Sequence, residues 1–178
     1  LVSLGFDLKD LVNLLPMLQA IPGRLQSMTL PYGPRCVVDF AHTPEALKQV
    51  CEILAAQASG QLITVFGCGG DREKSKRSLM GGIAERLSDV VIITDDNPRS
   101  ESPRAIADDI LSGCASPEKI RYIGNRDHAV KAAFQQSQVG DIILVAGKGD
   151  EQAQYYNDGT IHKSDWQRIT ELAKNPNM

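Results

Sequence analysis

The fold is decided by the stretch Val90-Val91-Ile92-Ile93-Thr94-Asp95-Asp96-Asn97-Pro98-Arg99. A β-branched apolar run stops there at two carboxylates, an amide, a proline and an arginine. Val and Ile favour pleated strands, and an uninterrupted apolar run is typical of a strand buried on both faces of a parallel sheet. A helix pattern follows near residues 103–113. We therefore predict a buried parallel strand at 90–94 whose carboxyl end carries an acid and a guanidinium side by side.

The same strand–helix unit repeats along the chain. Strand patterns occur at 35–40, 62–66, 90–94, 119–123 and 141–146, and helix patterns near 44–57, 76–88, 103–113, 126–136 and 164–174. The segment between 146 and 164 is interpreted as a tail. An amphipathic helix at 8–19 and a strand at 25–30 precede the repeats. Repeated units of this length predict an α/β fold: a Rossmann-like, doubly wound, mostly parallel sheet with helices on both faces.

Length and composition describe an ordinary globular protein. The chain has 178 residues, with 42% hydrophobic and 23% charged residues, enough for one domain and a piece of a second. A net charge of −3 without a basic stripe predicts no nucleic-acid partner. No apolar run reaches the roughly 18 residues of a membrane span. The first residues lack a start methionine, so we expect the chain to be part of something longer. The four cysteines are far apart, which favours reduced cytoplasmic thiols over disulfides or zinc ligands.

Ligands of open α/β sheets bind beyond the carboxyl ends of the strands. Four of the five main strand ends carry glycines or functional side chains: Asp39-Phe40-Ala41-His42-Thr43-Pro44, Gly67-Cys68-Gly69-Gly70-Asp71-Arg72-Glu73-Lys74, Asp95-Asp96-Asn97-Pro98-Arg99 and Gly147-Lys148-Gly149-Asp150-Glu151. The fifth, Gly124-Asn125-Arg126-Asp127, is interpreted as helix capping. The four polar ends predict one shared cleft.

Each polar strand end also has a purely structural interpretation. His42 can be a loop residue ahead of a helix that starts with Thr43 as its N-cap and Pro44 at its first position. The glycines of Gly67–Gly70 can form a tight turn that needs positive φ. Gly147-Lys148-Gly149 lacks the GxxxxGK[ST] spacing and is not a phosphate-binding loop.

The charged residues have structural alternatives as well. Asp96 can pair with Arg99 as a salt bridge within its turn. A solvated cationic face can be formed by Arg72, Lys74, Lys76 and Arg77. Four separate structural roles require more coincidences than one shared cleft, so we favour the cleft.

Taken in order, these motifs resemble the Mur ligases. The resemblance rests on Asp39-Phe40-Ala41-His42-Thr43-Pro44-Glu45-Ala46-Leu47, Gly67-Cys68-Gly69-Gly70-Asp71-Arg72, Asp96-Asn97-Pro98-Arg99 and Gly147-Lys148-Gly149. It covers essentially the whole chain and is strongest for the MurE type, which adds meso-diaminopimelate to UDP-N-acetylmuramoyl-L-alanyl-D-glutamate. It implies that residues 1–24 end a central ATPase domain and that residues 25–178 form the C-terminal, amino-acid-binding domain.

The resemblance implies an ATP-dependent amide ligase of cytoplasmic peptidoglycan precursor synthesis. In this family ATP, with Mg²⁺, activates a carboxylate of the UDP-MurNAc-dipeptide as an acyl phosphate, which the amine of the incoming amino acid attacks. Both cofactors are expected to be held mainly by the central domain. We therefore expect no catalytic residue and no metal ligand in this chain, and no activity from the fragment alone.

The resemblance also assigns site residues. The expected diaminopimelate ligands are Arg72, Asp96, Asn97, Pro98, Arg99, Gly147 and Glu151. The residues expected at the ATP end are Arg24, Asp39 and His42, although Arg24 can equally be a solvated linker residue. Diaminopimelate has an ammonium and a carboxylate at each end. Arginines can hold carboxylates bidentately, and carboxylates can accept hydrogen bonds from an ammonium.

Arg99 is predicted to select the amino acid. Lysine lacks the distal carboxylate of diaminopimelate, and lysine-adding relatives lack an arginine at this position. A site that pairs this carboxylate rejects an analogue without it, because its buried donors are left unpaired. We predict diaminopimelate as the substrate, with L-lysine as the alternative.

The sequence departs from the family pattern at two positions, and two other classes of function are alternatives to a ligase. Asp150 stands where most relatives have a histidine, which adds a negative charge beside Glu151, and Phe40 replaces a usual tyrosine. A non-catalytic amino-acid-binding or regulatory domain remains an alternative. A nicotinamide-dependent oxidoreductase is disfavoured because Gly67–Gly70 does not complete the GxGxxG spacing.

Overall fold

The computed structural model describes residues 5–14, 21–31 and 33–174. The helices are α1 (Leu8–Leu14), α2 (Pro44–Ala55), α3 (Ser75–Leu87), α4 (Pro103–Leu111), α5 (Arg126–Gln136) and α6 (Asp165–Lys174). The strands are β1 (Gln26–Thr29), β2 (Arg35–Asp39), β3 (Leu62–Phe66), β4 (Val90–Ile93), β5 (Arg121–Tyr122), β6 (Ile142–Ala146), β7 (Gln154–Tyr156) and β8 (Gly159–Ile161). In these ranges no helix combines the length and the apolar character needed to cross a membrane.

Six strands form one sheet in the order β1-β2-β6-β3-β4-β5. The edge strand β1 is antiparallel to β2, and the other neighbours are parallel. The chain moves outward from β2 to β5 and returns to β6, between β2 and β3. Helices α2, α3 and α4 cover one face of the sheet, and α5 and α6 cover the other. The predicted doubly wound, mostly parallel α/β fold is confirmed.

Burial on both faces explains the continuous apolar strands. In β3, Leu62 and Phe66 pack on the face covered by α2 to α4, whereas Ile63 and Val65 pack on the opposite face. All five residues of β3 are buried. Each fully buried side chain of this kind contributes about 1.5–3 kcal/mol relative to an exposed one. The polar Thr64 satisfies its hydroxyl through a 2.7 Å hydrogen bond with Ser88.

The observed elements begin and end close to the predicted positions. Thr43 caps α2 by accepting a hydrogen bond from the Ala46 amide, as expected for a helix that starts at Pro44. The predicted strand at 119–123 pairs only over Arg121–Tyr122, behind a 3₁₀ turn. Of the predicted helix at 8–19, α1 covers the first part, and positions 15–19 lie outside the described residues.

The segment between residues 146 and 164, which was interpreted as a tail, contains a β-hairpin. Strands β7 and β8 pair antiparallel around the two-residue turn Asn157-Asp158. This hairpin lies beside the loop after β4, where the Arg99 amide donates to the Tyr155 carbonyl over 2.9 Å. The prediction was wrong because both strands are short and β8 is exposed. The signal that could have found the hairpin is a two-residue Asn-Asp loop followed by glycine, a composition that suits tight hairpins.

Candidate functional site

The carboxyl ends of β2, β3, β4 and β6 open on one cleft of about 380 Å³. The cleft brings together six of the seven residues predicted to bind an amino acid, namely Arg72, Asp96, Asn97, Arg99, Gly147 and Glu151. His42 also lines it, together with Phe40 and Lys76. Pro98 is not among the lining residues and borders a neighbouring hollow. The parallel strands therefore converge on a cleft that contains both acids and cations.

Glycines allow the loops around the cleft to approach one another. A Cβ on Gly67 would collide with the Thr94 carbonyl, and a Cβ on Gly70 with the Pro98 carbonyl. Neither glycine has positive φ, so the tight-turn interpretation of Gly67–Gly70 was wrong. Gly147 does have positive φ (109°), and a Cβ there would lie 2.9 Å from Asp96 Oδ2. These glycines are required by contact with the loop after β4.

Asp96 presents a carboxyl group without a protein donor. Asp96 is 8% exposed, and within residues 5–14, 21–31 and 33–174 no hydrogen bond or salt bridge reaches its carboxyl group. The turn salt bridge between Asp96 and Arg99 is therefore not formed. Burial raises the pKa of Asp96, and the nearby cations Arg126 and Lys148 oppose that rise. A bound ammonium would supply the missing donor.

Arg99 adopts a left-handed backbone conformation, with φ of 54°, which is uncommon for a residue with a side chain. Its Nη1 donates to the carbonyl of Gly70 over 2.7 Å and to that of Asn97 over 3.3 Å. In the described part of the chain no carboxylate pairs with this guanidinium. The carbonyls hold one edge of the guanidinium, and its other donors remain for a ligand in the cleft.

Lys148 holds two of the residues predicted to bind the amino acid in a fixed orientation. It is fully buried and donates to Asn97 Oδ1 over 2.9 Å and to Glu151 Oε2 over 2.7 Å. The Asn97 amide donates to the same Glu151 oxygen over 2.8 Å. Sequence analysis gave Lys148 no role beyond its motif. The three residues form one network that fixes how Asn97 and Glu151 face the cleft, and the exposed neighbour Asp150 takes no part in it.

Arg126 was misinterpreted as part of a simple helix cap. Asn125 does cap α5, but Arg126 is 1% exposed and forms a bidentate pair with the fully buried Asp165, at 2.7 and 2.8 Å. Its Nη1 also donates to the Asp95 carbonyl over 3.1 Å, and its Nη2 to the Ala146 carbonyl over 2.9 Å. The guanidinium thus ties together the ends of β4 and β6, where the cleft opens.

The basic residues between 72 and 77 do not form a solvated face throughout, because Arg77 is buried. Arg72 and Lys74 are exposed, but the Arg77 side chain is fully buried. It donates twice to Glu101 at 2.9 Å and once to Asp109 at 2.8 Å. A further bond of 3.1 Å reaches the Gly69 carbonyl. This pairing holds the loop after β3 against the loop after β4.

The Arg77–Glu101 pair predicts a pH-dependent contribution to stability. The Arg77 guanidinium lowers the pKa of Glu101 from 4.5 to about 2. A folded pKa below the unfolded value stabilises the fold fully above about pH 5, and this stabilisation is lost as the pH falls toward the folded pKa. We expect Glu101→Gln to lower the free energy of unfolding by about 2–3 kcal/mol at pH 7. Urea unfolding between pH 7 and pH 3 measures this change.

The difference between wild type and Glu101→Gln should shrink to less than half as the pH falls to about 3. The exposed Glu118 provides the matched control, since Glu118→Gln removes a carboxylate that has no hydrogen-bond or ion-pair partner in the described residues. A destabilisation by Glu101→Gln that is equal at pH 7 and pH 3 would contradict the role of the ion pair.

The residues predicted at the ATP end gather around Phe40. The Arg24 guanidinium carbon lies 4.4 Å from the centroid of the Phe40 ring, and the His42 and Phe40 rings pack edge to face with their centroids 4.5 Å apart. Asp39 accepts hydrogen bonds from the amides of Leu25 and Ala41, at 2.8 and 2.9 Å. Of the three predicted residues, only His42 lines the cleft. The Asp39 carboxylate thus holds the backbone just before β1 and just after β2.

Proteins of one known family resemble this chain. A family model described as "Mur ligase, glutamate ligase domain" matches residues 23–149. Two relatives are each 44% identical to this chain, over 86% and 97% of its length. They are the UDP-N-acetylmuramoyl-L-alanyl-D-glutamate–2,6-diaminopimelate ligases of Ectopseudomonas mendocina (strain ymp) and Vibrio parahaemolyticus serotype O3:K6 (strain RIMD 2210633). A solved structure of a ligase with that name superposes on 99% of the chain with a TM-score of 0.82, at 39% identity.

This chain spans only part of each of these proteins: 32% and 35% of the two relatives and 36% of the solved chain. The family model nevertheless covers most of the present sequence, and its matched residues include the ends of all four strands that form the cleft. The chain therefore belongs to the Mur ligase family.

Proposed function

We propose that this chain is the amino-acid-binding C-terminal part of an ATP-dependent ligase that adds meso-diaminopimelate to UDP-N-acetylmuramoyl-L-alanyl-D-glutamate. The observation that carries the proposal is the pairing, in one cleft, of an Asp96 carboxyl without a protein donor and an Arg99 guanidinium without a carboxylate partner among the described residues. The names of the two 44% identical relatives support the same reaction.

The charges of the cleft suit a doubly zwitterionic amino acid. Arg72 and Arg99 supply planar donors for carboxylates, and Asp96 and Glu151 supply acceptors for ammonium groups. We assign the distal carboxylate of diaminopimelate to Arg99. Lysine would leave that guanidinium facing an empty, partly desolvated position, and an unpaired buried polar group costs about 1–3 kcal/mol, more when it is charged.

In the reaction, these residues bind and orient the incoming amino acid. The amine nitrogen of the amino acid forms the new C–N bond with the activated carboxyl carbon, and phosphate leaves. The cleft binds the carboxylates of the amino acid and the ammonium at its far end, so the reacting amine can approach the carboxyl carbon from one direction only. This orientation contributes to the rate. Bound Mg²⁺ and nearby cations would stabilise the charge at the phosphate, as in other phosphoryl transfers.

The magnesium and most of the ATP contacts are assigned to residues outside this domain. In the described part of the chain, no three His, Cys, Asp or Glu side chains are placed to hold a metal ion. The sequence also has no GxxxxGK[ST] phosphate loop. We retain Arg24 and His42, beside Phe40, as residues that reach the nucleotide, and Asp39 as their backbone support.

We further propose that residues 1–24 close a central ATPase domain and that the amino-acid-binding domain begins at residue 25. The junction packs closely on the cleft, because a Cβ on Gly23 would collide with Gly149 and with the Asp150 amide. Two residues after Gly23, the amide of Leu25 donates a hydrogen bond to the Asp39 carboxylate. Since ATP and UDP-linked precursors are cytoplasmic compounds, we place the enzyme in the cytoplasm.

The test is amide formation by the full-length protein supplied with UDP-N-acetylmuramoyl-L-alanyl-D-glutamate, ATP and Mg²⁺. We expect phosphate release and product with meso-diaminopimelate, and kcat/KM at least about 100-fold lower with L-lysine. The isolated 178-residue chain should be inactive. A preference for lysine would overturn the substrate assignment. Binding of diaminopimelate without any amide product would instead support the non-catalytic amino-acid-binding alternative.

A further inference from the structure

The loop after β4 is held in place by the first strand of the hairpin. Gln154 is 1% exposed, and its Nε2 donates to the carbonyls of Asp95 and Asp96, at 3.1 and 2.9 Å. One side-chain amide thus binds two successive carbonyls at the point where β4 turns into the cleft. Gln154 itself does not line the cleft, and the Mur ligase resemblance assigns it no role.

The neighbours of Gln154 in β7 extend the same contact. The Tyr155 amide donates to Asn97 Oδ1 over 3.1 Å, and the Tyr155 carbonyl accepts from the Arg99 amide over 2.9 Å. The Tyr156 hydroxyl donates to Asp95 Oδ2 over 3.1 Å. Strand β7 therefore bonds to the loop at its start, middle and end, including the residue that has φ of 54°.

The orientation of the Gln154 amide is fixed by a second partner. Arg168 is buried, and its Nη2 lies 2.8 Å from Gln154 Oε1. A guanidinium can only donate hydrogen bonds, so the amide oxygen must face Arg168 and the NH₂ group must face the two carbonyls. The side chain has no second arrangement that satisfies all three partners.

We propose that Gln154 is the positioning residue that sets the direction of Arg99 and thereby the selectivity of the cleft for diaminopimelate. This inference rests on the proposed function. The left-handed conformation of Arg99 is disfavoured for an L-residue and persists only where surrounding contacts hold it. Loss of the Gln154 contacts lets the loop relax and moves the guanidinium away from the distal carboxylate. Displacement of a positioning group by about 1 Å can cost about 100-fold in rate. We therefore expect the shift of the guanidinium to change the preference for diaminopimelate over lysine.

The decisive variant is Gln154→Glu in the full-length protein. It keeps an acceptor for Arg168, removes both donors to the carbonyls of Asp95 and Asp96, and places a carboxylate against them. We expect KM for meso-diaminopimelate to rise about tenfold, with a similar fall in the preference over L-lysine. KM for ATP and for the UDP-linked substrate should stay within about twofold. Gln135→Glu is the matched control, because it makes the same substitution at an exposed residue of α5 whose side chain has no hydrogen-bond partner in the described residues.

Amide hydrogen exchange in the same full-length protein supplies a readout that does not depend on turnover. In Gln154→Glu the Arg99 amide should exchange at least about tenfold faster. The Thr94 amide, which donates to the Phe66 carbonyl of β3, should keep its wild-type rate and so reports that the sheet is intact. Should Gln154→Glu fail to fold, Tyr156→Phe tests the same contact, with an expected rise in KM for diaminopimelate of about threefold.

Unchanged selectivity in a folded Gln154→Glu variant, or an equal rise of KM for all three substrates, would overturn the positioning role. The proposed function fails in a different way. In that case the wild-type protein forms no amide with diaminopimelate, whatever the exchange rates of the variants.

Discussion

Replacing Arg99 by alanine is expected to lower kcat/KM for meso-diaminopimelate by about 100-fold, because the distal carboxylate loses a bidentate, charge-assisted partner. The variant should change kcat/KM for L-lysine little, since lysine has no group for the guanidinium to hold. Initial rates of the full-length protein at varied concentrations of each amino acid give both values. Discrimination should therefore fall by nearly the same factor as the activity with diaminopimelate.

Two further variants control this result. Arg86 is an exposed arginine at the far end of α3, and Arg86→Ala should leave both kinetic constants unchanged. Arg99→Lys keeps the charge but not the planar fork, so it should recover only part of the lost discrimination. If Arg99→Ala retained the wild-type ratio of diaminopimelate to lysine, the selectivity role of Arg99 would have to be abandoned.

Replacing Asp165 by alanine is expected to lower the free energy of unfolding by about 3–5 kcal/mol, because it leaves the buried guanidinium of Arg126 without its bidentate ion-pair partner. Both side chains of this pair are fully buried. For a chain of this size each kcal/mol corresponds to about 2–4 °C in Tm, so a fall of roughly 10 °C follows. Calorimetry or urea unfolding of the chain measures the change.

The control for Asp165→Ala is an exposed pair of the same chemical type. Arg104 and Asp108 pair along α4, at 66% and 54% side-chain exposure, and such pairs contribute under about 1 kcal/mol. Asp108→Ala should therefore shift Tm by no more than about 2–4 °C. Equal losses for the buried and the exposed variant would show that Arg126 does not depend on Asp165.

The sheet could be predicted because its signal is local. Burial on both faces requires every residue of β3 and β6 to be apolar or internally satisfied, and both strands were predicted within one residue of their observed bounds. The four polar strand ends were expected to meet because parallel strands end at one edge of a sheet. Their convergence on one cleft follows from the topology, whereas their role as amino-acid ligands stays a prediction.

The buried cations could not be predicted in the same way. Arg126 follows a helix cap, where arginines are ordinarily solvated, and its partner Asp165 is 39 residues away. Only the tertiary structure brings them together. Arg77 did carry a local signal that was missed, because it shares the buried stripe of α3 with Met80, Gly81 and Ala84, at spacings of three, four and seven residues.

The supports of the cleft were harder to predict than its lining. Lys148 bonds the Asn97 side chain, and Gln154 bonds the main-chain carbonyls of the loop after β4. No sequence pattern near either residue reveals that contact. The polar strand ends and the family resemblance predicted most of the residues that line the cleft. Neither could identify the residues that orient this lining, because orientation depends on atoms more than 50 residues apart along the chain.

The most direct test of the central claim is a crystal structure of the full-length protein with meso-diaminopimelate bound. We predict the amino acid in the cleft at the ends of β2, β3, β4 and β6, with its distal carboxylate about 2.7–2.9 Å from the Arg99 guanidinium and an ammonium at Asp96. Diaminopimelate bound elsewhere, or bound in this cleft with its distal carboxylate away from Arg99, would contradict the account.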